Sequence, residues 1–108
     1  MIFKNPYMTV NERVSTLQRW ILVHSYIYYK TDKNYVLDSV FDANCKQLVK
    51  MMEDHPEAAT RYSEAFEGFD GNTGFDLYDK CSRDIQKLIE SDFGIVAYGS
   101  GKRTGEGL

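Results

Sequence analysis

Apolar residues recur at intervals of three and four along the first part of the chain, the spacing that places side chains on one face of an α-helix. Thr9 and Glu12 have the spacing of a capping box, in which a hydroxyl and a carboxylate each accept a backbone N–H hydrogen bond at the start of a helix. The apolar positions that follow are Val14, Leu17, Ile21, His24 and Tyr28, with Trp20, Val23 and Ile27 beside them. The pattern predicts a first helix that is buried along one side.

A polar segment over residues 30–37 interrupts this pattern and predicts a loop. A second stripe follows, made of Phe41, Cys45, Leu48 and Met52. Asp38 or Ser39 is a suitable N-cap for this second helix, and negative charge at Asp38 and Asp42 suits the positive end of the helix dipole. The second helix is therefore expected to pack on the first.

The second half of the chain carries weaker signals. Pro56 suits the first turn of a helix and predicts a short third helix over residues 56–66. Residues 68–74 are rich in glycine and asparagine and predict a turn. A fourth helix is predicted to begin at Thr73 or Gly74 and to end at Gly94. Its apolar stripe is Tyr78, Cys81, Ile85 and Leu88, with Leu77 and Ile89 alongside.

After Gly94, residues 95–98 are predicted to be extended, and residues 99–108 hold four glycines and predict a flexible C-terminal tail. The sequence therefore predicts an all-α fold, a small bundle of about four helices in one domain over residues 1–98. Hydrophobic residues at 43% and charged residues at 27% are typical of a globular domain.

Charge and composition narrow the possible partners. A net charge of −3 argues against a nucleic-acid partner, because affinity for phosphate backbones comes mainly from clustered Lys and Arg. No apolar run approaches the length of a membrane span, so a cytoplasmic protein is expected. Cys45 and Cys81 show no metal-ligand spacing and are expected to be reduced, and no metal site is predicted.

The segment from Trp20 to Glu57 contains a tyrosine pair, two spaced aspartates and a helix that closes on His-Pro-Glu. It resembles the N-terminal helical Ia domain of NAD-dependent DNA ligases. The ligase pattern falls without gaps on Tyr28, Tyr29, Asp38, Phe41, Asp42 and His55-Pro56-Glu57. The departure is Phe41, where the ligases usually carry tyrosine.

The resemblance implies a ligand site made of Tyr28, Tyr29, Asp38, Phe41 and Asp42. In the ligases this set holds the nicotinamide mononucleotide half of NAD while another domain carries out adenylation. Aromatic faces sandwich a flat, cationic heterocycle, and carboxylates accept hydrogen bonds from ribose hydroxyls. Nicotinamide mononucleotide (NMN) and NAD are therefore candidate ligands, although no cofactor is expected to be required. Phe41 lacks the tyrosine hydroxyl, so weaker or altered recognition is expected.

No enzymatic activity is expected of this chain. The adenylated lysine of the ligases lies in a Lys-x-Asp-Gly motif, and the only comparable Asp-Gly here is Asp70-Gly71, where position 68 is glycine. His24 and His55 have no nucleophile in a recognisable arrangement. His24 is expected to be a satisfied histidine in the core or at its edge.

A second hypothesis makes the protein a small adaptor or inhibitor that binds a protein partner. Aromatic and methionine side chains outside the two helix stripes are candidates for that interface. They are Tyr26, Tyr29, Tyr35 and Met51. A ligase-like segment of this size also suggests a bacteriophage or mobile-element origin. An open aromatic cleft at Tyr28, Asp38 and Asp42 favours the ligand module, whereas a closed, packed one favours the adaptor.

Overall fold

The structure, a computed structural model, describes residues 8–71 and 76–103, with side chains as far as residue 95. Its three helices are α1 (Val10–Lys30), α2 (Asp38–Asp54) and α3 (Arg83–Arg103). Two short 3-10 turns, Ser63–Phe66 and Tyr78–Lys80, lie between α2 and α3, and the described residues form no strand. The all-α prediction is confirmed, with three helices in place of about four.

Helix α1 is the central element of the fold because both other helices pack against it. Eight of its residues are buried, and they lie on more than one side of the helix: Val14, Leu17, Gln18, Ile21, Leu22, Val23, Ser25 and Ile27. The predicted capping box is confirmed. The backbone N–H of Thr9 donates to Glu12 Oε1 at 2.8 Å, and that of Glu12 donates to Thr9 Oγ1 at 3.1 Å.

The loop between α1 and α2 begins with a compact reversal of the chain. The backbone N–H and the hydroxyl of Thr31 both donate to the carbonyl of Ile27, at 3.3 and 2.6 Å. Asp32 follows with a φ of 60°, a left-handed conformation that aspartate tolerates better than most residues. This turn brings the start of α2 alongside the end of α1.

The predicted N-cap of α2, Asp38 or Ser39, is wrong by one residue. The N-cap is Leu37, whose carbonyl accepts the N–H groups of Val40 and Phe41, and no side chain caps this helix. Asp38 is instead the first helical residue, where its charge still suits the helix dipole. Its carboxylate therefore does not act as a cap.

The predicted third helix over residues 56–66 is wrong, since the chain there runs through turns and one 3-10 turn. The hydroxyl of Thr60 accepts the N–H of Tyr62, and Ser63 Oγ accepts the N–H of Thr60. Such side-chain bonds compete with helical backbone bonds. Thr60 also donates to Oε1 of the buried Gln18 at 2.5 Å, which fastens this segment to α1.

The turn predicted over residues 68–74 is present in its described part, where Gly68 and Gly71 have φ values of 77° and 86°. The predicted start of the last helix at 73 or 74 is outside the described residues, and α3 begins only at Arg83. Ser82 sets this start of the helix. Its hydroxyl accepts the N–H of Ile85, and its carbonyl accepts the N–H of Gln86.

The prediction that this helix ends at Gly94 is also wrong. A glycine that ends a helix in the left-handed conformation has a positive φ, and the φ of Gly94 is not positive. Helix α3 therefore continues to Arg103, through the segment predicted to be extended and into the segment predicted to be a tail. Residues 104–108 of that tail lie outside the described residues, as does the N-terminal segment before residue 8.

Ionic and aromatic contacts hold α3 on α1. The guanidinium of Arg19 makes a bidentate pair with Asp92, with N···O distances of 2.5 and 2.8 Å. The ring of Tyr26 lies between those of Tyr78 and Phe93, with centroids 4.8 and 5.8 Å away. In the described part of the chain no helix is long and apolar enough to cross a membrane.

Burial predicts which leucines carry the stability of this fold. Leu17 is fully buried, so Leu17→Ala should lower the free energy of unfolding by about 2–5 kcal/mol through lost transfer energy and a cavity. Leu37 is 72% exposed, so Leu37→Ala should change it by less than about 0.5 kcal/mol. Urea unfolding followed by circular dichroism measures both, and equal losses would contradict this core.

Candidate functional site

A cleft of about 430 Å³ opens between the end of α1, the connecting loop and the start of α2. Its walls combine aromatic rings, polar side chains and two carboxylates. The lining residues are His24, Tyr28, Tyr29, Asn34, Val36, Asp38, Ser39, Phe41 and Asp42. The two helices position this set because the left-handed turn at Asp32 sets the last turn of α1 beside the first turn of α2.

All five residues predicted for ligand binding line this one cleft: Tyr28, Tyr29, Asp38, Phe41 and Asp42. The rings of Tyr28 and Tyr29 meet edge to face at 4.8 Å between centroids, and their side chains are 48% and 38% exposed. Although Tyr28 belongs to the predicted apolar stripe of α1, it lies outside the core. The cleft is thus open and aromatic, and it is not closed by packing.

Phe41 and His24 line the cleft, and the ring of Trp20 packs against both of them. The ring of Trp20 stacks on that of Phe41 at 6.1 Å, and it lies 4.4 Å from the imidazole of His24. Phe41 is therefore held in position by the indole behind it. A second, smaller cavity of about 260 Å³ lies between α1 and α3 and is lined on one side by Trp20 and His24. His24 lines both cavities.

His24 is the lining residue that the sequence did not assign to the site. It is half-buried and lies at the edge of the core, where it lines the cleft. The available signal was its spacing, because a residue one turn before Tyr28 lies on the same helix face. Burial lowers the pKa of His24, so the ring is neutral near pH 7 and offers one donor and one acceptor.

The two carboxylates of the cleft are exposed and differ in their partners. Asp38 Oδ1 accepts a long hydrogen bond of 3.4 Å from the amide of Asn34. Asp42 Oδ2 pairs with Lys46 Nζ at 2.6 Å, one turn along α2. Exposed pairs of this kind contribute little free energy, so a ligand competes with Lys46 for Asp42 at small cost.

The four residues predicted for a protein interface differ in exposure. Tyr29 and Tyr35 are exposed near the loop, at 38% and 37%, whereas Tyr26 and Met51 are half-buried against the core. Two apolar side chains that the prediction did not include, Leu37 and Val40, are also exposed near the loop, at 72% and 43%.

Neither cysteine is a candidate nucleophile. Both are free thiols, and burial is the main cause that raises the pKa of Cys45 and of Cys81 to about 11. A second cause at Cys45 is the nearby charge of Asp42. The thiols are therefore protonated near neutral pH. Within the part of the chain that the structure describes, no group of three His, Cys, Asp or Glu residues is placed to hold a metal ion.

The burial of His24 makes the stability of the protein depend on pH in a defined direction. Its folded-state pKa lies below the ordinary value of 6.5, so the unfolded chain binds more protons in mildly acidic solution. The free energy of unfolding should therefore fall as the pH decreases through 6.5. An NMR titration of the imidazole should give a midpoint below 6.5, and His24→Gln should remove this part of the pH dependence. A midpoint above 6.5 would contradict the burial argument.

The comparisons with known proteins agree with this geometry. A family model described as the DNA ligase-like, N-terminal NAD+-binding domain matches residues 7–64, which include α1, α2 and every residue that lines the cleft. No curated protein and no solved structure matches the chain significantly. The family match covers more than half of the chain and confirms the resemblance found in the sequence. The chain therefore belongs to the family of DNA ligase-like, N-terminal NAD+-binding domains.

Proposed function

We propose that this domain binds the nicotinamide half of NAD or NMN in the cleft between α1 and α2. The observation that supports this most directly is that the five ligase-pattern residues surround one open cavity beside the neutral imidazole of His24. The family match supports the same ligand, because its description is that of an NAD+-binding domain.

The aromatic residues are suited to the nicotinamide ring. The oxidised ring is flat and cationic, and such rings are attracted to the faces of tyrosine and phenylalanine. Tyr28 and Tyr29 are exposed enough to change orientation around a ligand, whereas Phe41 is fixed by Trp20. These three rings line one cleft, so the site offers aromatic contacts from both helices to a ligand of this kind.

The polar residues are suited to the ribose and the carboxamide. Asp38 and Asp42 are acceptors for the ribose hydroxyls, and neither is used as a helix cap. The neutral ring of His24 offers a donor or an acceptor to the carboxamide. Phe41 offers no hydroxyl, so the polar contacts are left to the other polar side chains of the cleft, among them Asp38 and Asp42.

The proposal is for binding without chemistry in this chain. The adenylation motif of the ligases, Lys-x-Asp-Gly, does not occur in the sequence. After incubation with NAD the chain should therefore keep an unmodified mass. An adduct of the mass of adenylate would overturn this part of the proposal.

NMN should bind the isolated domain weakly, with a Kd on the order of 0.1 mM or above, which corresponds to roughly 5 kcal/mol. Asp42→Asn removes a charged acceptor and should weaken binding by about tenfold. NMR titrations measure both, and the ligand-induced shifts should cluster at the cleft. Shifts confined to α3 would place the site elsewhere.

Two further variants sharpen this titration. Asp54→Asn removes an exposed carboxylate at the other end of α2, so its affinity for NMN should equal that of the unaltered protein. Phe41→Tyr restores the hydroxyl that the ligases usually carry and should tighten binding by up to about fivefold. An equal loss of affinity in Asp54→Asn and Asp42→Asn would show a general charge effect and no specific contact.

A second candidate function, an adaptor or inhibitor of a protein, is supported by a different observation. Of the six large apolar side chains that are exposed in the described residues, five lie between residues 28 and 40. They are Tyr28, Tyr29, Tyr35, Leu37 and Val40, and we call them the loop patch. Clustered exposed apolar side chains are typical of protein-binding surfaces.

The loop patch can be tested with a matched pair of variants. Leu37→Asp places a charge in the patch, at an N-cap position where aspartate is well tolerated. Ile95→Asp places the same charge on α3, at an apolar residue of similar exposure, 69% against 72%. A partner that is captured by Ile95→Asp but lost by Leu37→Asp supports the adaptor function. Equal capture by both variants would exclude the loop patch.

A further inference from the structure

The second cavity, of about 260 Å³ between α1 and α3, is distinct from the cleft, although His24 lines both. Helix α1 contributes Trp20 and Val23 to its lining, and α3 contributes Asp92 and Ile95. The two residues from α3 lie beyond residue 64, where the family match ends. The cavity, called here the α1–α3 cavity, is therefore a feature that the ligase pattern does not include.

The side chains that line the α1–α3 cavity have packing partners of their own. Val23 is 5% exposed, and the indole of Trp20 stacks on the ring of Phe41. The bidentate pair of Arg19 and Asp92 joins the two helices, and both of its members line the cavity. The cavity is therefore preformed, as most small-molecule sites are.

The charges in this lining cancel. The charged side chains among the described residues that line the cavity are Arg19 and Asp92, which are paired at N···O distances of 2.5 and 2.8 Å. His24 is neutral near pH 7 because burial lowers its pKa. A charged ligand would lose hydration here without gaining an unpaired counter-charge. The cavity therefore favours an uncharged ligand.

The volume of the cavity sets the size of that ligand. An apolar cavity of roughly 150 Å³ binds benzene, which corresponds to about 25 Å³ for each non-hydrogen atom. At the same ratio, a cavity of about 260 Å³ suits about ten non-hydrogen atoms. A flat ring of this size can also pack against the indole of Trp20 in one of the offset or edge-to-face arrangements that aromatic pairs prefer.

We infer that the α1–α3 cavity is a second ligand site, which takes an uncharged molecule with a single aromatic ring and about ten non-hydrogen atoms. The ring packs against the apolar side chains of Trp20, Val23 and Ile95. A hydroxyl substituent can accept a hydrogen bond from Arg19, which has N–H groups beyond the two that bond to Asp92. None of the five ligase-pattern residues lines this cavity, so the site is independent of the proposed function.

The experiment uses three probes of similar shape and different charge, which are benzyl alcohol, benzoate and benzylammonium. Each is titrated into the full chain and followed by NMR through the indole N–H signal of Trp20, the only tryptophan. We expect benzyl alcohol to shift this signal with a Kd on the order of 1 mM or tighter. The two ions should bind at least about threefold more weakly, because they lose hydration in a site without net charge.

A filling variant tests the position of the site. Thr16 lines the cavity, so Thr16→Phe should occupy part of it and weaken benzyl alcohol at least about tenfold. The matched control is Ser15→Phe, because Ser15 is also half-buried on α1 but does not line the cavity. Its affinity for benzyl alcohol should stay within about twofold of that of the unaltered chain.

A charge variant tests the selectivity without depending on the filling variant. Asp92→Asn leaves the charge of Arg19 without its partner, so the affinity for benzoate relative to benzyl alcohol should rise about fivefold or more. Because this is a ratio measured within one variant, a change in stability does not imitate it. Asp84→Asn, at an exposed position in the first turn of α3, should leave the ratio unchanged.

Five results would overturn the second site or its selectivity. They are no shift of the indole signal at about ten times the expected Kd, and benzyl alcohol shifts confined to Tyr28 and Asp38 in the cleft. The others are tighter binding of either ion by the unaltered chain, equal losses in Thr16→Phe and Ser15→Phe, and an unchanged ratio in Asp92→Asn. NMN binding in the cleft is measured with a different ligand and stands or falls separately.

Discussion

The burial of α1 from more than one side is the constraint on which the rest of the structure depends. A helix that packs only on one neighbour needs a single apolar stripe, but α1 has buried residues as far apart around its circumference as Leu17 and Val23. It must therefore be covered by α2 on one side and by α3 on another. Its last turn, at Tyr28 and Tyr29, is exposed, and these two residues line the cleft.

This arrangement divides the chain by role. The hairpin of α1 and α2 carries every residue that lines the cleft, and the family match ends at residue 64, shortly after it. Helix α3 contributes nothing to the cleft among its described side chains. It covers α1 through Ile85 and Ile89, and the Arg19–Asp92 pair holds it in place. Affinity for the ligand and stability of the fold therefore rest largely on different residues.

The parts of the fold that were predictable from the sequence are those whose causes are local. The capping box at Thr9 and Glu12 and the three-four spacing of α1 and α2 are written in consecutive residues. The five residues of the proposed site came from the resemblance to the ligase pattern, which spans one helix–loop–helix unit. The turn at Gly68 and Gly71 was likewise predictable, because glycine tolerates the positive φ that both residues adopt.

The parts that were missed depend on contacts between distant residues or on competition among local ones. The residues around Thr60 do not predict that its hydroxyl donates a hydrogen bond to the buried Gln18 on α1. This bond is present where the predicted third helix does not form. Ser82 is a good N-cap, but Thr73 and Gly74 offered an earlier one. His24 was assigned to the core or its edge because it belongs to the apolar stripe of α1, and only the tertiary fold shows that the cleft opens beside it.

The stack of Trp20 on Phe41 places the fluorescent indole ring next to the cleft. Trp20 is the only tryptophan of the chain, and its ring centroid lies 6.1 Å from that of Phe41 and 4.4 Å from that of His24, both of which line the cleft. Electron-poor pyridinium rings quench indole emission at short range. The fold thus places its single tryptophan one ring away from the cleft, so a pyridinium ligand in the proposed site would change the indole emission without any label.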